Sequence, residues 1–256
     1  MKTTRYRFAN AAHELRAAVI ADFHDGDPAP VLEAVRSASP DVILVVGDAI
    51  HNAERTAGGL ALLRALITVA PVFCSLGNHE YRCENVEKRL RQTGARLLDN
   101  AYATLGGFVI GGLSSGYRGK KQGRLKKTPA PETAWLKAFR EEQGTHILLS
   151  HHPEYYPRLA ADGGIELILS GHAHGGQWCF LGRGLFAPGQ GILPRFTHGA
   201  YRGRRRAKTP LALSAEKPVL VVSRGLSNEV RIPRIGNPTE LLMLEFIKEE
   251  DHARRT

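Results

Sequence analysis

Short blocks of consecutive branched and apolar residues recur along the chain, separated in its first third by stretches whose apolar positions return every three or four residues. Five blocks, AAVIADFH, VILVVGD, VFCSLGNHE, HILLSHHP and LILSGHAH, each run directly into a polar cluster. An apolar run of this length, closed by turn residues, predicts a strand buried on both faces. The periodic stretches Ala29 to Ser39 and Arg55 to Val69 predict helices, so the early chain reads as βαβ units. A hairpin-like segment around Ala101 to Gly112 and late strands at Val219 to Ser223 and Leu241 to Ile247 predict a second sheet against the first. Open α/β sheets bind ligands beyond the carboxyl ends of their strands. All five polar clusters are therefore expected in one crevice of a single α/β domain over residues 1–256, with no repeat or linker.

With 256 residues, 43% of them hydrophobic, the chain can bury a substantial core. No apolar run approaches the roughly 20 residues that span a bilayer, and the opening MKTTRYRFANAAHEL lacks the apolar centre of a signal peptide. The expected location is cytoplasmic. Cys74, Cys83 and Cys179 are odd in number and lack CxxC spacing, which argues against a disulfide framework or a thiolate metal site; Cys74, inside PVFCSL, is expected in the core. Lys and Arg total 35 against 25 Asp and Glu, a net charge of +10. Such a surface favours anionic partners without separating nucleic acid, anionic lipid and phosphorylated metabolites.

The strand ends carry Asp22 and His24, then Asp48, then Asn78 and His79, then His151, then His172 and His174. Every one is an oxygen or nitrogen donor that can ligate a metal, and none is a thiolate. One His-x-His on a loop is ordinary surface polarity. Five strand ends all closing in Asp, Asn or His would be a costly coincidence for a fold needing only solubility. Glycines flank the last cluster, in GHAHGGQ, and let its backbone turn sharply enough to aim both imidazoles into one cleft. This mixed donor set suits manganese, iron, cobalt or zinc.

The ordered motifs D-x-H, G-D, G-N-H-E, H and G-H-x-H across residues 22 to 174 resemble the calcineurin-like metallophosphoesterase family. That resemblance implies a four-layer α/β/β/α sandwich with a binuclear centre. GHAHGGQ with SRGLSN and GNPTELLMLEF is similar to a bacterial branch containing membrane-associated phosphodiesterases and a UDP-diacylglucosamine pyrophosphatase. The resemblance further implies that Asp22, His24 and His174 hold one metal, that Asn78, His151 and His172 hold the other, and that Asp48 bridges them. His79 would face substrate, donating a hydrogen bond or a proton, and Glu80 would cap or orient. One departure concerns His79. Family members commonly carry a carboxylate three residues after the bridging aspartate, to orient this histidine, and here that position is His51. His51 is thus read as a modulator of the site, and His152, beside His151, as another that contacts substrate or only lines the loop, while His13, His146, His198 and His252 carry no motif and are read as structural or exposed.

Two basic stretches, residues 117–127 and 201–208, interrupt the strand pattern without apolar periodicity. Either is a solvated face, or it binds substrate phosphates, with Arg118 and Arg202 as candidates, or draws the chain to an anionic leaflet. Tyr117 and Tyr201 would suit stacking on a base. Trp178, Phe180, Leu181, Leu185, Phe186, Ile192 and Leu193 follow GHAHGGQ. Burial is expected of most large apolar residues; the alternative is an acyl or membrane contact. The favoured reading is a two-metal hydrolase of phosphodiester or pyrophosphate bonds, acting through a metal-bridging hydroxide on a lipid-linked substrate, peripheral on the inner membrane face. One alternative is a nucleotide or nucleic-acid phosphodiesterase, and another is a catalytically silent metal-containing binding protein.

Overall fold

A computed structural model describes residues 1–118, 120, 127–228 and 233–248. The strands are β1 (Lys2–Ala11), β2 (Leu15–Ile20), β3 (Val42–Val46), β4 (Val72–Ser75), β5 (Arg96–Leu98), β6 (Ala101–Leu105), β7 (Phe108–Leu113), β8 (Thr145–Ser150) and β9 (Leu167–Ser170). Two small ribbons follow, β10 (Cys179–Phe180) with β11 (Arg183–Gly184) and β12 (Phe186–Ala187) with β13 (Gly191–Ile192). Then come β14 (Gly199–Arg202), β15 (Arg205–Arg206), β16 (Leu211–Ala212), β17 (Val219–Val222) and β18 (Glu240–Lys248). Helices α1 (Pro28–Ala38), α2 (Ala57–Leu66) and α3 (Val86–Arg91) lie between the early strands, with α4 (Leu136–Glu141) and α5 (Tyr156–Ala161) flanking β8.

Two seven-stranded mixed sheets form among the described residues, in the orders β16-β1-β18-β2-β3-β4-β5 and β15-β14-β17-β9-β8-β7-β6. Side-chain alternation divides each central strand between two cores. Val42, Leu44 and Val46 of β3 meet Ile147, Leu149, Leu167 and Leu169 in the layer between the sheets. Ile43 and Val45 turn the other way, onto Val31 and Val35 of α1 and Leu62, Leu63 and Leu66 of α2. Leu148 and Ile168 likewise point outward, against Phe139 of α4 and Leu159 of α5. Helix, sheet, sheet and helix stack in that order, the four-layer α/β/β/α sandwich. Helix α1 is started by Asp27, whose carboxylate accepts the Ala29 N–H at 3.0 Å, and by Pro28 in its first turn.

Two expectations need correction. The late strand β18 joins the first sheet, antiparallel to β2 and parallel to β1, instead of the second. Residues 201–208 are not a bare loop, because Tyr201 pairs with Arg206 and Arg202 with Arg205 in the β14–β15 hairpin. Cys74 is buried as expected. Among the described residues no helix is long and apolar enough to cross a membrane.

Candidate metal centre

The chain delivers its polar clusters where parallel strands end. Asp22 and His24 follow β2, Asp48 follows β3, and Asn78 and His79 follow β4 in the first sheet; His151 follows β8, and His172 and His174 follow β9 in the second. Backbone bonds lace these turns together: Asp22 N–H donates to the Gly47 carbonyl, His24 N–H to Asp48, and Gly171 N–H to His151. Asp22, His24, Asp48, His172 and His174 all sit at positive φ, between 46° and 62°. That left-handed conformation costs an L-residue roughly 1–2 kcal/mol, and Asp, Asn and His tolerate it better than most. Such strain, held in place by the surrounding fold, concentrates at functional sites. A Cβ at Gly77 would stand 2.2 Å from Asp48 Oδ1, and one at Gly171 would stand 2.6 Å from Asp22 Oδ2, so both glycines make room for the carboxylates.

Ligand-capable atoms of Asp22, His24 and His174 all lie within 4.8 Å of one another, as do those of Asp48, His151 and His172. The two groups adjoin. His24 Nε2 is 3.8 Å from both Asp22 Oδ1 and Asp48 Oδ2, His151 Nε2 is 3.0 Å from Asp48 Oδ2, and His174 Nε2 is 3.6 Å from Asp22 Oδ1. Asn78 is buried in the turn after β4.

Burial drives His24 and His172 well below the ordinary imidazole value, and burial with the Arg234 charge lowers His174 to about 3. These rings are neutral and keep lone pairs for a cation. Asp22 is pushed up to about 7 by burial and by Asp48, against the pull of His151. Burial opposes a charge on His151 as well, yet Asp48 and Asp22 raise it to about 10. Its Nδ1 lies 2.8 Å from the Val46 carbonyl and so carries a hydrogen, which turns the Nε2 lone pair of the neutral ring toward Asp48. Two electron-rich atoms 3.0 Å apart demand a cation between them, a proton or a metal. His24 Nε2, Asp48 Oδ2 and His151 Nε2 are buried without a hydrogen-bond partner. A divalent ion fits this donor set.

His79 Nδ1 lies 2.7 Å from the backbone carbonyl of His51, so it donates there and leaves Nε2 facing the cluster, 4.0 Å from Asp48 Oδ2. A main-chain oxygen thus does what a carboxylate side chain at position 51 would do. Burial lowers His79, Asp48 opposes this, and the Arg82 guanidinium 3.3 Å from Nδ1 adds to the lowering. The His51 ring packs against His79 and His24. His152 is fully buried, with Nε2 2.7 Å from Ser115 Oγ, Nδ1 3.6 Å from Glu154, and its ring edge-on to His172.

Of the two tasks expected of Glu80, capping and orienting, the fold gives it the second. Its buried carboxylate accepts the N–H groups of Asp48, Ala49, Ile50 and Gly77, at 2.8–3.3 Å, joining the turns after β3 and β4. Arg234, 3.3 Å from His174 Nδ1, had no motif to announce it, whereas Asn237, which donates to the His174 carbonyl at 2.7 Å, stands inside GNPTELLMLEF.

Arg118 pairs with Glu87 and Asp99, and Arg202 donates to the Ala212 carbonyl, so both guanidinium groups are engaged by their own neighbours. Lys121, Arg124 and Lys126 fall outside the described residues. Tyr117 and Tyr201 are buried, which removes the faces that stacking on a base would need. Burial of the segment after GHAHGGQ is also overturned: Trp178, Phe180, Leu181, Ile192 and Leu193 are exposed, while Leu185 and Phe186 are half-buried.

Residues 15–176 match the family model described as calcineurin-like phosphoesterase. The chain is 28% identical to an uncharacterized metallophosphoesterase of Campylobacter jejuni over 96% of this chain and 63% of that one. It is 30% identical to an uncharacterized metallophosphoesterase of Aquifex aeolicus over 72% of each. A transmembrane protein with a metallophosphoesterase domain from Danio rerio is 26% identical over 64% of this chain and 41% of that one. The chain therefore spans less than two thirds of the Campylobacter relative.

Proposed function

From a chain that belongs to the calcineurin-like phosphoesterase family, we propose a two-metal hydrolase of phosphodiester or pyrophosphate bonds that works at a membrane surface on a lipid-linked substrate. The observation that carries the chemistry is the pair of adjoining ligand groups, whose buried His24 Nε2, Asp48 Oδ2 and His151 Nε2 converge without other partners. Asp22, His24 and His174 would hold one divalent ion, Asn78, His151 and His172 the other, with Asp48 shared between them. The bound ions would supply Lewis acidity and an ionised water at neutral pH.

The chain's own residues do the rest. The buried neutral imidazoles of His24, His172 and His174 offer lone pairs to the crevice, and the turns fix them before substrate arrives. His79, oriented through Nδ1 by the His51 carbonyl, presents Nε2 to the crevice, and in its imidazolium form, which a bound phosphate ester favours, it would donate to a phosphoryl oxygen or protonate the leaving group. Arg82 and Arg234 flank that opening with positive charge suited to a phosphate ester. The membrane setting rests on the apolar side chains exposed beside the crevice. We place the protein on the cytoplasmic face of the membrane.

The test is hydrolysis of a generic phosphodiester beside its phosphomonoester after manganese loading, with Asp48→Asn as control. Diester turnover in the wild type and its loss in the variant are expected. Bound manganese without turnover across metals and pH would overturn the hydrolase in favour of a binding role.

A further inference from the structure

The two ribbons after GHAHGGQ break the usual rules for a hairpin. Phe180 pairs with Arg183, so Leu181 and Gly182 are the whole turn, and both have positive φ, 47° and 75°. That geometry is a type I′ turn, whose first position is normally Asn or Asp. Here it holds a leucine, and the leucine is 104% exposed. On the second ribbon Ile192 is 81% and Leu193 71% exposed, and Leu193 also has positive φ. A branched apolar residue gains nothing for folding from a strained backbone that holds it in water.

The basic residues beside these tips show what the leucines meet. A cavity of about 380 Å³ opens between the ribbons and the β14–β15 hairpin, lined by Arg183, Arg195, Arg204 and Arg206 together with Leu193. Among the described residues none of these four arginines is paired with a carboxylate. Arg206 donates to the Gly182 carbonyl at 2.7 Å, which fastens the first tip to the rim of the cavity. The platform is built on the metal turn itself: Gly176 is packed so closely on Gly184 and Thr197 that a Cβ there would stand 2.4 Å from Gly184 Cα.

Exposed apolar tips beside a cavity of arginines that lack carboxylate partners have the polarity of a bilayer interface, acyl chains beneath anionic headgroups. A polynucleotide would use the arginines and have no use for Leu181 or Ile192. We propose that Leu181, Ile192 and Leu193 insert into the membrane while the four-arginine cavity receives the phosphate of an anionic phospholipid, holding the metal crevice at the bilayer surface. This names the surface behind the membrane setting proposed above and stands apart from the hydrolytic chemistry.

The test is cosedimentation of the manganese-loaded full chain with phosphatidylcholine vesicles with and without phosphatidylglycerol, with hydrolysis of a soluble diester measured in parallel. Wild type is expected to bind the phosphatidylglycerol vesicles at least about tenfold more tightly than the neutral ones. Leu181→Asp with Ile192→Asp, and separately Arg195→Glu with Arg204→Glu, should each weaken that binding about tenfold or more while soluble-diester turnover is unchanged. Both pairs are exposed, so the fold survives either change. Vesicle binding that is absent, or indifferent to the Leu181 and Ile192 changes, overturns the inference. So does oligonucleotide binding that the arginine variant alone abolishes, if vesicles are ignored. Loss of turnover in the wild type with vesicle binding intact would overturn the hydrolase and leave the docking surface standing.

Discussion

Glu80→Gln is the change that most directly tests how the crevice is held. The Glu80 Oε1 atom accepts from Ala49 and Ile50, and Oε2 from Asp48 and Gly77. A carboxylate can fill all four positions because it only accepts. A carboxamide cannot: whichever way it is flipped, its NH2 faces two backbone N–H groups. Two hydrogen bonds to a charged acceptor are lost, each worth about 1.5–3 kcal/mol, and their buried donors are stranded. Burial, with the Asp48 charge, pushes Glu80 up to about 7, so removing this buried charge returns part of the loss. The net expected destabilisation is about 2–4 kcal/mol, a large share of the 5–15 kcal/mol typical of a domain. Because the same amides position Asp48, manganese affinity should fall about 10–100-fold, the usual effect of removing a group that orients a ligand. Urea melts of the metal-free protein and competition titrations with manganese read the two quantities. A variant within 1 kcal/mol of wild type at unchanged denaturant slope, or one with wild-type manganese affinity, would refute this account of the crevice.

Other perturbations separate backbone from side-chain roles. His51→Ala should lower kcat/KM for a diester less than about fivefold, since the carbonyl that holds His79 Nδ1 survives the change; a hundredfold loss would return the role to the His51 ring. Gly77→Ala forces a methyl onto Asp48 Oδ1 and should cost about 1–3 kcal/mol, with weaker manganese binding read by the same titration. His198, outside the crevice, is lowered to about 3 by burial and by Arg224 and Arg206, so its folded form resists a proton that the unfolded chain accepts near 6.5. Its contribution is therefore complete above pH 6.5 and is lost as pH falls toward 3. Between pH 7 and pH 5 the stability difference between the metal-free wild type and His198→Gln should shrink by about 1–2 kcal/mol, and an unchanged difference would contradict the assigned shift.

How much of this was legible in the chain depended on how local the controlling physics was. Strands β2, β3, β8 and β9 were readable because burial on both faces leaves an unbroken apolar run. Strand β1 was not read, since beside β18 it alternates charged and apolar positions, with Arg7 reaching Glu245 at 3.3 Å. The extent of β18 was visible, but its place between β1 and β2 depends on long-range order that no short window contains. The metal-ligand candidates were readable because each stands at the punctuated end of a strand. The partners of Glu80 were hidden because they are backbone amides of its own turn and of the turn after β3, and amides carry no residue identity.

The misjudged segment is the most instructive. Average behaviour of large apolar residues argued for burial of residues 178–193, and average behaviour is what a folding requirement alone would produce. The strand-end turns depart from that requirement by placing Asp22, His24, Asp48, His172 and His174 in left-handed backbone and crowding carboxylates out of water. The ribbon tips depart from it in the opposite sense, by holding Leu181 in left-handed backbone and fully in water. Natural sequences agree across local and global levels except where function imposes the exception. The criterion that marks the turns as a reactive crevice applies equally to the tips: a residue kept where neither packing nor backbone preference would put it is kept for what it touches.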